Sequence, residues 1–415
     1  MSKENDLIKE LCPNGVKYKK IDEVCEKIYA GGTPTTTHEE YYNGNIKWLR
    51  SGEINFNELY DTEMKITEVG LNNSSAKIIP SHSVVIAMTG ATVARTAMVM
   101  EDMSMNQSVC ALVPNNEINY RFLYQVLTNK YFELKQSGQG VLTSLNLDRI
   151  KKIVIPVPPI EVQEEITRIL DKFGELKAEL EAELEARKSQ YDFWREKLCG
   201  GEISILKEQA KKGTIKLNKL NEVGTLTRGK RFVKADAVES GASCIHYGEL
   251  YTYYGISAIK TKSYIREDLA NKLRFAEKGD VIIVGAGENN IDIGIGVAWL
   301  GDEKPAIHDA CYIFKHSLNP KYVSYYLRTK LYHNQLKSWV SEGKICAVSA
   351  KGIGECFMPI PTIEKQNEIV KILDKFEKLI NDISVGIPAE IELRRKQYEY
   401  YRNKLLSFEE LSVSE

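Results

Sequence analysis

One phrase occurs twice in this chain. "PVPPIEVQEEITRILDKF" (156–173) returns as "PIPTIEKQNEIVKILDKF" (359–376), 203 positions later. Counting from Ile155 and Met358, twelve of nineteen aligned positions are identical, including both prolines, the Ile-Glu-x-Gln core and the closing Ile-Leu-Asp-Lys-Phe. An internal duplication of that period fixes the architecture before any single motif is considered. Walking backwards, "VKYKKIDEV" (16–24) answers to "IKLNKLNEV" (215–223), and "WLRSGEI" (48–54) answers weakly to "IHYGELY" (245–251). "SVVIAMTGAT" matches "DVIIVGAGEN", "NQSVCAL" matches "HDACYIF", and "SGQGVL" matches "SEGKIC". Each half is therefore a divergent body of about 150 residues followed by a helix of about 40, on a shared scaffold.

The bodies carry short Val/Ile runs, frequent Gly and Asn turns, and helical stretches at 119–136 and 319–339, a β-rich pattern with some helix. The segments after the prolines differ. In the first, apolar or aromatic residues fall at 166, 169, 173, 176, 180, 184, 191, 194 and 198, one seam on a long helix with a stutter where two steps of four adjoin. Gly200-Gly201 ends it. The second seam runs through 369, 372, 376, 379, 383, 387, 391, 398, 401 and 405, and Gly386 with Pro388 should interrupt it. Pairing the two seams antiparallel, with one body at each end, is the compact way to bury both; homodimerisation is the alternative use of such seams. The expected fold class is thus α+β: two β-rich domains joined by two long antiparallel coiled-coil helices, pseudo-twofold by duplication. The expected boundaries are 1–155 (first domain), 156–200 (first long spacer helix), 201–357 (second domain) and 358–415 (second long spacer helix).

Composition adds three bounds. The opening Met-Ser-Lys-Glu-Asn-Asp is too polar for a signal peptide and the apolar runs are only strand-length, so a cytoplasmic protein without membrane contact is expected. Eight cysteines without C-x-x-C or zinc-like spacing read as mostly buried thiols, with no metal site. The net charge of −1 conceals an uneven distribution: residues 200–357 hold 23 Lys/Arg against 17 Asp/Glu, so the second body is basic.

Enzymatic motifs fail on their chemistry. "GTLTRGKR" (224–231) has the glycine and lysine spacing of a P-loop but ends in Arg where a Mg²⁺-binding Ser or Thr belongs. "GAGENN" lacks the third dinucleotide glycine, and "NPKY" (319–322) reads as an Asn cap with proline at a helix start. No glycine-rich strand for S-adenosylmethionine is present, and Asp280, Asp302 and Lys304 make only a chance likeness to a nuclease set. No catalytic residue is expected.

The order of parts carries a family resemblance over nearly the whole chain. The Gly31-Gly32-Thr33-Pro34 loop before "NGNIKWLRSGEI", "TGAT" after an apolar strand, "NQS", and two Pro-x-Pro…Glu-x-Gln helices resemble a type I restriction–modification specificity subunit. That resemblance implies two target-recognition domains, binding of double-stranded DNA at a bipartite site, and docking of two methyltransferase subunits, with restriction (motor/nuclease) subunits added. It also implies adenine methylation by those partners, which would carry S-adenosylmethionine; no cofactor is expected on this chain. The second half departs from the pattern, offering "TLTRGKRFVK" in place of Gly-Gly-Thr-Pro.

Reading DNA needs cations and backbone N–H groups on phosphate, and side chains at base edges. Candidate DNA-binding residues in the first body are Gly32, Thr33, Thr35 and Thr36; Arg50 and Ser51; Thr89, Gly90, Thr92 and Arg95; and Asn106 with Gln107, an amide pair able to face adenine. In the second they are the cations Arg228, Lys230, Arg231 and Lys234, then Glu288, Asn289, Asn290 and His308. The last four are aligned with Ala91–Thr92 and Asn106–Gln107. Ordinary turn chemistry is the competing explanation for every one of these loops. A coiled-coil adaptor without sequence-specific reading is the competing function; it explains the seams but not two duplicated, divergent bodies.

Overall fold

The computed structural model describes residues 12–136, 144–213, 215–341, 343–382 and 385–411. "SGQGVL", the polar N-terminus and seam residue Ile383 lie outside them. The chain divides into two compact units: Met1–Leu180 with Ile391–Glu415, and Glu181–Glu390.

In the first unit the strands are β1 (Lys17–Lys20), β2 (Cys25–Ala30), β3 (Tyr42–Leu49), β4 (Glu58–Leu59), β5 (Lys65–Ile66), β6 (Lys77–Ile79), β7 (Ser83–Ala87), β8 (Thr96–Val99), β9 (Met103–Met105), β10 (Val109–Pro114) and β11 (Val154–Val157). They form sheets ordered β2-β10-β7-β8-β4 and β5-β3-β9-β6, with β1 paired to β11. The second unit has β12 (Leu217–Lys219), β13 (Gly224–Arg228), β14 (Ala237–Val238), β15 (Ala242–Ile245), β16 (Ser257–Ala258), β17 (Ser263–Ile265), β18 (Val281–Val284), β19 (Ala286–Gly287), β20 (Gly296–Trp299), β21 (Ala306–Ile307), β22 (Cys311–His316), β23 (Val340–Ser341), β24 (Cys346–Val348) and β25 (Phe357–Pro359). Its main sheet runs β13-β22-β18-β20-β16, the first unit's order element for element. Even the parallel pairs recur, β3 with β9 and β15 with β21. The faint similarity of the bodies is one fold carrying two side-chain sets.

Central strands β7 and β18 are buried along their whole length, as continuous Val/Ile runs covered on both faces must be. Helix α1 (Tyr120–Asn129) covers one sheet and α3 (Pro320–Tyr326) covers its counterpart, each opened by an asparagine whose side chain accepts two backbone N–H groups. The repeated proline phrase begins as an edge strand that closes each body: Pro156 lies opposite Tyr18, and Pro359 opposite Leu217.

The phrase then becomes α2 (Ile160–Cys199), continuous over 40 residues, and α4 (Ile363–Asn381). The second helix is broken as expected and resumes as α5 (Ile387–Leu405). At Gly386 a Cβ would meet the carbonyl oxygens of Asp382, Leu379 and Lys378 at 2.6, 2.7 and 2.8 Å, so only glycine lets the chain turn against that helix end. Each unit takes seam residues from two helices. Ile166, Leu170 and Leu405 share the first core, where Phe173 stacks on Tyr401 at 5.3 Å. Tyr191, Ile369, Val370 and Leu373 share the second.

The glutamine of the phrase explains why it is repeated. Gln163 is fully buried; its Oε1 accepts from Asn119 N (2.8 Å) and its Nε2 donates to Glu117 O (2.9 Å) and Pro158 O (2.8 Å). Gln366 repeats this with Asn319 N and Pro361 O, both at 2.9 Å. The aspartates follow suit: Arg121 pairs with Asp171 at 3.1 Å, and Lys321 with Asp374 at 2.6 Å. The described cysteines are free thiols and six of the eight are buried. No helix among the described residues is long and apolar enough to cross a membrane.

Removing one partner from a buried hydrogen-bonded set leaves the others unsatisfied, at about 1–3 kcal/mol. Gln366→Ala should therefore lower the unfolding free energy of the second unit by about 1–3 kcal/mol in urea titration, whereas the exposed Glu368→Ala should change it by less than about 0.5 kcal/mol. Equal effects would show that the repeated glutamine is not a structural pin.

Candidate nucleic-acid interface

In the first body the candidate loops leave the ends of β2, β3, β7 and β9 and are fastened to one another. The Gly31-Gly32 pair is required by close approach. A Cβ on Gly31 would lie 2.0 Å from Met105 O, and one on Gly32 would lie 2.5 Å from the Ser75 carbonyl carbon. Gly32 N donates to Met105 O at 3.0 Å, and Trp48 Nε1 donates to Gly32 O at 3.1 Å. Beyond them the Thr33 hydroxyl donates to Gln107 Oε1, joining two candidate loops. Thr35 and Thr36 are exposed.

Arg50 pairs with Glu63, and its backbone N donates to Glu53 Oε1 at 3.1 Å. Thr92 Oγ1 donates to Ser51 O at 2.9 Å, joining the other two loops. Thr89 and Gly90 are exposed, and Gly90 is needed for its φ of +79°. Arg95 Nη1 donates to Asn55 Oδ1 at 2.8 Å. Asn106 Oδ1 accepts from Ser108 N at 3.1 Å, so that carbonyl caps a turn while the amide nitrogens of Asn106 and Gln107 make no hydrogen bond among the described residues.

The second body keeps the backbone frame and replaces the side chains. Lys230 N donates to Ile307 O at 3.0 Å, as Gly32 N does to Met105 O. Gly229 is pressed against His308 O, which a Cβ would approach to 2.2 Å. Gly229-Lys230-Arg231-Phe232 thus occupies the place of Gly31-Gly32-Thr33-Pro34. Arg228 is turned aside: its Nε donates to Asp309 O at 2.6 Å, and its own carbonyl accepts from Arg274 Nη1 at 2.5 Å. Lys230 and Arg231 are exposed and make no ion pair among the described residues. The side chain of Lys234 lies outside the described ones.

His246 stands where Arg50 stands, its backbone N donating to Glu249 Oε2 at 3.2 Å, and His308 stands where Asn106 stands, its N donating to Ile245 O. Together with Phe232 and Tyr247 they form an aromatic cluster, with centroids 4.5 Å apart for His246 and His308 and 5.0 Å for Phe232 and His308. His308 Nδ1 accepts from Ala310 N at 3.1 Å and its side chain is only 13% exposed, which leaves it holding its own loop. Phe232, His246 and Tyr247 are absent from the sequence-based set. The weak match of "IHYGELY" to "WLRSGEI" would have supplied the two that align with Arg50 and Ser51.

The remaining loop corrects the alignment. Ala94 N donates to Ala87 O seven residues back, whereas Gly294 N donates to Val284 O ten residues back. The second loop is three residues longer, and its extra length forms β19, paired with β24. The short 3-10 turn Asn290–Asp292 therefore corresponds to Gly90–Thr92. Glu288 and Asn289 fall before it, exposed, and not opposite Ala91–Thr92. The phosphate-loop phrase also resolves: Gly224–Arg228 is strand β13, and Asn319 is a helix cap.

Residues 13–187 and 213–393 each match the family described as "Type I restriction modification DNA specificity domain". A Haemophilus influenzae protein named as a type I restriction enzyme specificity subunit is 32% identical over 328 residues, 73% of this chain and 76% of its own. The EcoR124I/EcoR124II specificity subunit of Escherichia coli is 31% identical over 268 residues, 62% of this chain and 63% of its own. A solved chain from work on complex assembly and conformational transition of the type I R-M system shares the fold, with a TM-score of 0.62 over 95% of this chain and 98% of that one at 16% identity.

Burial lowers the pKa of the four second-unit histidines: His246, His308 and His333 lie below their ordinary value and His316 is pushed down to about 4. In the unfolded chain a histidine takes up its proton near pH ~6.5. The stability these neutral rings contribute is complete above that pH and is lost as pH falls towards the folded values. Unfolding free energy should therefore drop as pH is lowered from about 7.5 to about 5. His316→Asn, which keeps an acceptor for Leu318 N, should flatten the drop; an unchanged slope would place the acid sensitivity elsewhere.

Proposed function

The chain belongs to the type I restriction–modification DNA specificity family, and from that premise we propose that it reads a bipartite target in double-stranded DNA, one half-site per body. One observation carries the proposal: two bodies share a backbone frame at their loops and differ in nearly every side chain that the frame presents. Gly31-Gly32-Thr33-Pro34 becomes Gly-Lys-Arg-Phe, Arg50-Ser51 becomes His-Tyr, and Asn106-Gln107 becomes His-Asp. A repeated scaffold with exchanged side chains is what reading two different base sequences requires, since position comes from backbone and phosphate contacts and identity from side chains at base edges.

In this reading the chain is a recognition subunit without chemistry of its own. Methyltransferase subunits, two per chain, carry S-adenosylmethionine and methylate adenine at the sites it selects; restriction subunits join that core. Lys230 and Arg231 supply phosphate contacts to the second body. The amide nitrogens of Asn106 and Gln107 and the hydroxyl of Thr33 face bases in the first. Arg228, held by Asp309, sets the loop's shape.

Two outcomes follow. The purified chain alone should transfer no methyl group to DNA, and site-specific adenine methylation should appear when methyltransferase subunits are added; transfer by the chain alone would sink the reading. Lys230→Ala and Arg231→Ala should each weaken binding to all sequences and reduce the log–log salt slope by about one. An unchanged slope would take this loop off the DNA.

A further inference from the structure

The turns Gly90–Thr92 and Asn290–Asp292 are one device in two bodies. Val93 N donates to Gly90 O at 3.2 Å and Arg95 N to Thr92 O at 2.9 Å; Ile293 N donates to Asn290 O and Ile295 N to Asp292 O, both at 3.4 Å. The middle residue is Ala91 in one and Ile291 in the other. Ile291 is 83% exposed, the most exposed large hydrophobic side chain among the described residues. The turn that carries it has been lengthened by three residues and braced by pairing β19 with β24. A single exposed aliphatic side chain is ordinary on a protein surface, so any use for this one has to be read from its place in the fold.

The turn's surroundings identify that use. Asn289 and Asn290 precede Ile291 in the chain, and the Asn289 amide donates to Asp292 Oδ2 at 3.5 Å across it. Strands β13 and β18 both pair with β22 and end beside each other on it, Arg228 opposite Tyr312 and Val284 opposite Cys311, so the loops that follow them leave one edge of the sheet. The turn therefore belongs to the same edge of the body as the exposed cations Lys230 and Arg231, a surface whose charge suits a polyanion. On the major-groove edges of bases the one apolar group is the C5-methyl of thymine, flanked by donors and acceptors that amides can meet.

We propose that Ile291 is a specificity-determining residue of the second body that covers the C5-methyl group of a thymine in its half-site. The assignment rests on the DNA-reading function proposed above. The side chain is on the surface, so Ile291→Ala leaves the fold intact.

The test maps the methylated target in a host carrying the complex. It then measures binding of the full chain, assembled with its methyltransferase subunits, to that target with each thymine replaced singly by uracil, which lacks only the methyl. One replacement should weaken binding of the unaltered protein about four-fold, the worth of one buried methyl-sized group. Ile291→Ala should lose that response and Ile291→Val keep it. The inference is overturned if every replacement acts equally on the protein and on Ile291→Ala. It is also overturned if Ile291→Ala impairs assembly with methyltransferase subunits and leaves DNA binding alone, which would make the turn a protein contact. Failure of the complex to bind any specific sequence would instead sink the DNA-reading function itself.

Discussion

Two buried glutamine side chains, Gln163 and Gln366, fix where each body meets the helix that follows it. Each amide is spent on backbone groups: the N–H of the asparagine that opens α1 or α3, and the carbonyl before the long helix. Buried polar sets of this kind hold together only when complete. Any change to the glutamine, the proline turn or the capping asparagine strands the rest. That is a physical reason for both halves to keep the glutamine, the proline turn and the capping asparagine while the bodies differ.

The bodies could drift because their loops are fastened by backbone and by glycine, not by the side chains at their tips. Gly31 and Gly229 are both pressed onto a neighbouring carbonyl, and the same backbone pair joins Asn106 to Leu49 and His308 to Ile245. With the main chain so tied, the exposed positions are free to change chemistry. The first body uses that freedom for hydroxyls and amides linked across loops. The second uses it for two exposed cations, without an ion pair among the described residues, next to a cluster of aromatic rings.

Much of this was legible in the sequence, and the failures have local causes. The duplication, both seams and the break at Gly386 and Pro388 rest on spacing, which a single chain displays directly. The strand order does not, because pairing β2 to β10 or β13 to β22 depends on contacts eighty or more residues apart in sequence. The equivalence of Gly-Lys-Arg-Phe to Gly-Gly-Thr-Pro was hidden for the same reason: one glycine survives, and the identifying bond runs to Ile307. The turn at Asn290–Asp292 was misregistered because three residues were added in a loop where similarity had already faded.

Charge illustrates the gap between composition and placement. The second body is basic by count, yet many of its cations sit on carboxylates: Lys304 and Lys315 on Glu277, Lys278 on Asp302, Arg266 on Asp236, Lys219 on Glu355. Exposed pairs like these add little stability and leave the net excess of cations unchanged, but they decide where on the body that excess is presented. In the first body Arg50 and Lys47 are likewise tied to Glu63 and Glu101. Among the described residues of the candidate loops, Lys230 and Arg231 keep no such partner. On the proposed reading, the second body therefore supplies most of the salt-sensitive grip on phosphate. The first keeps one candidate cation, Arg95, on the neutral Asn55 and otherwise offers hydroxyls and amides.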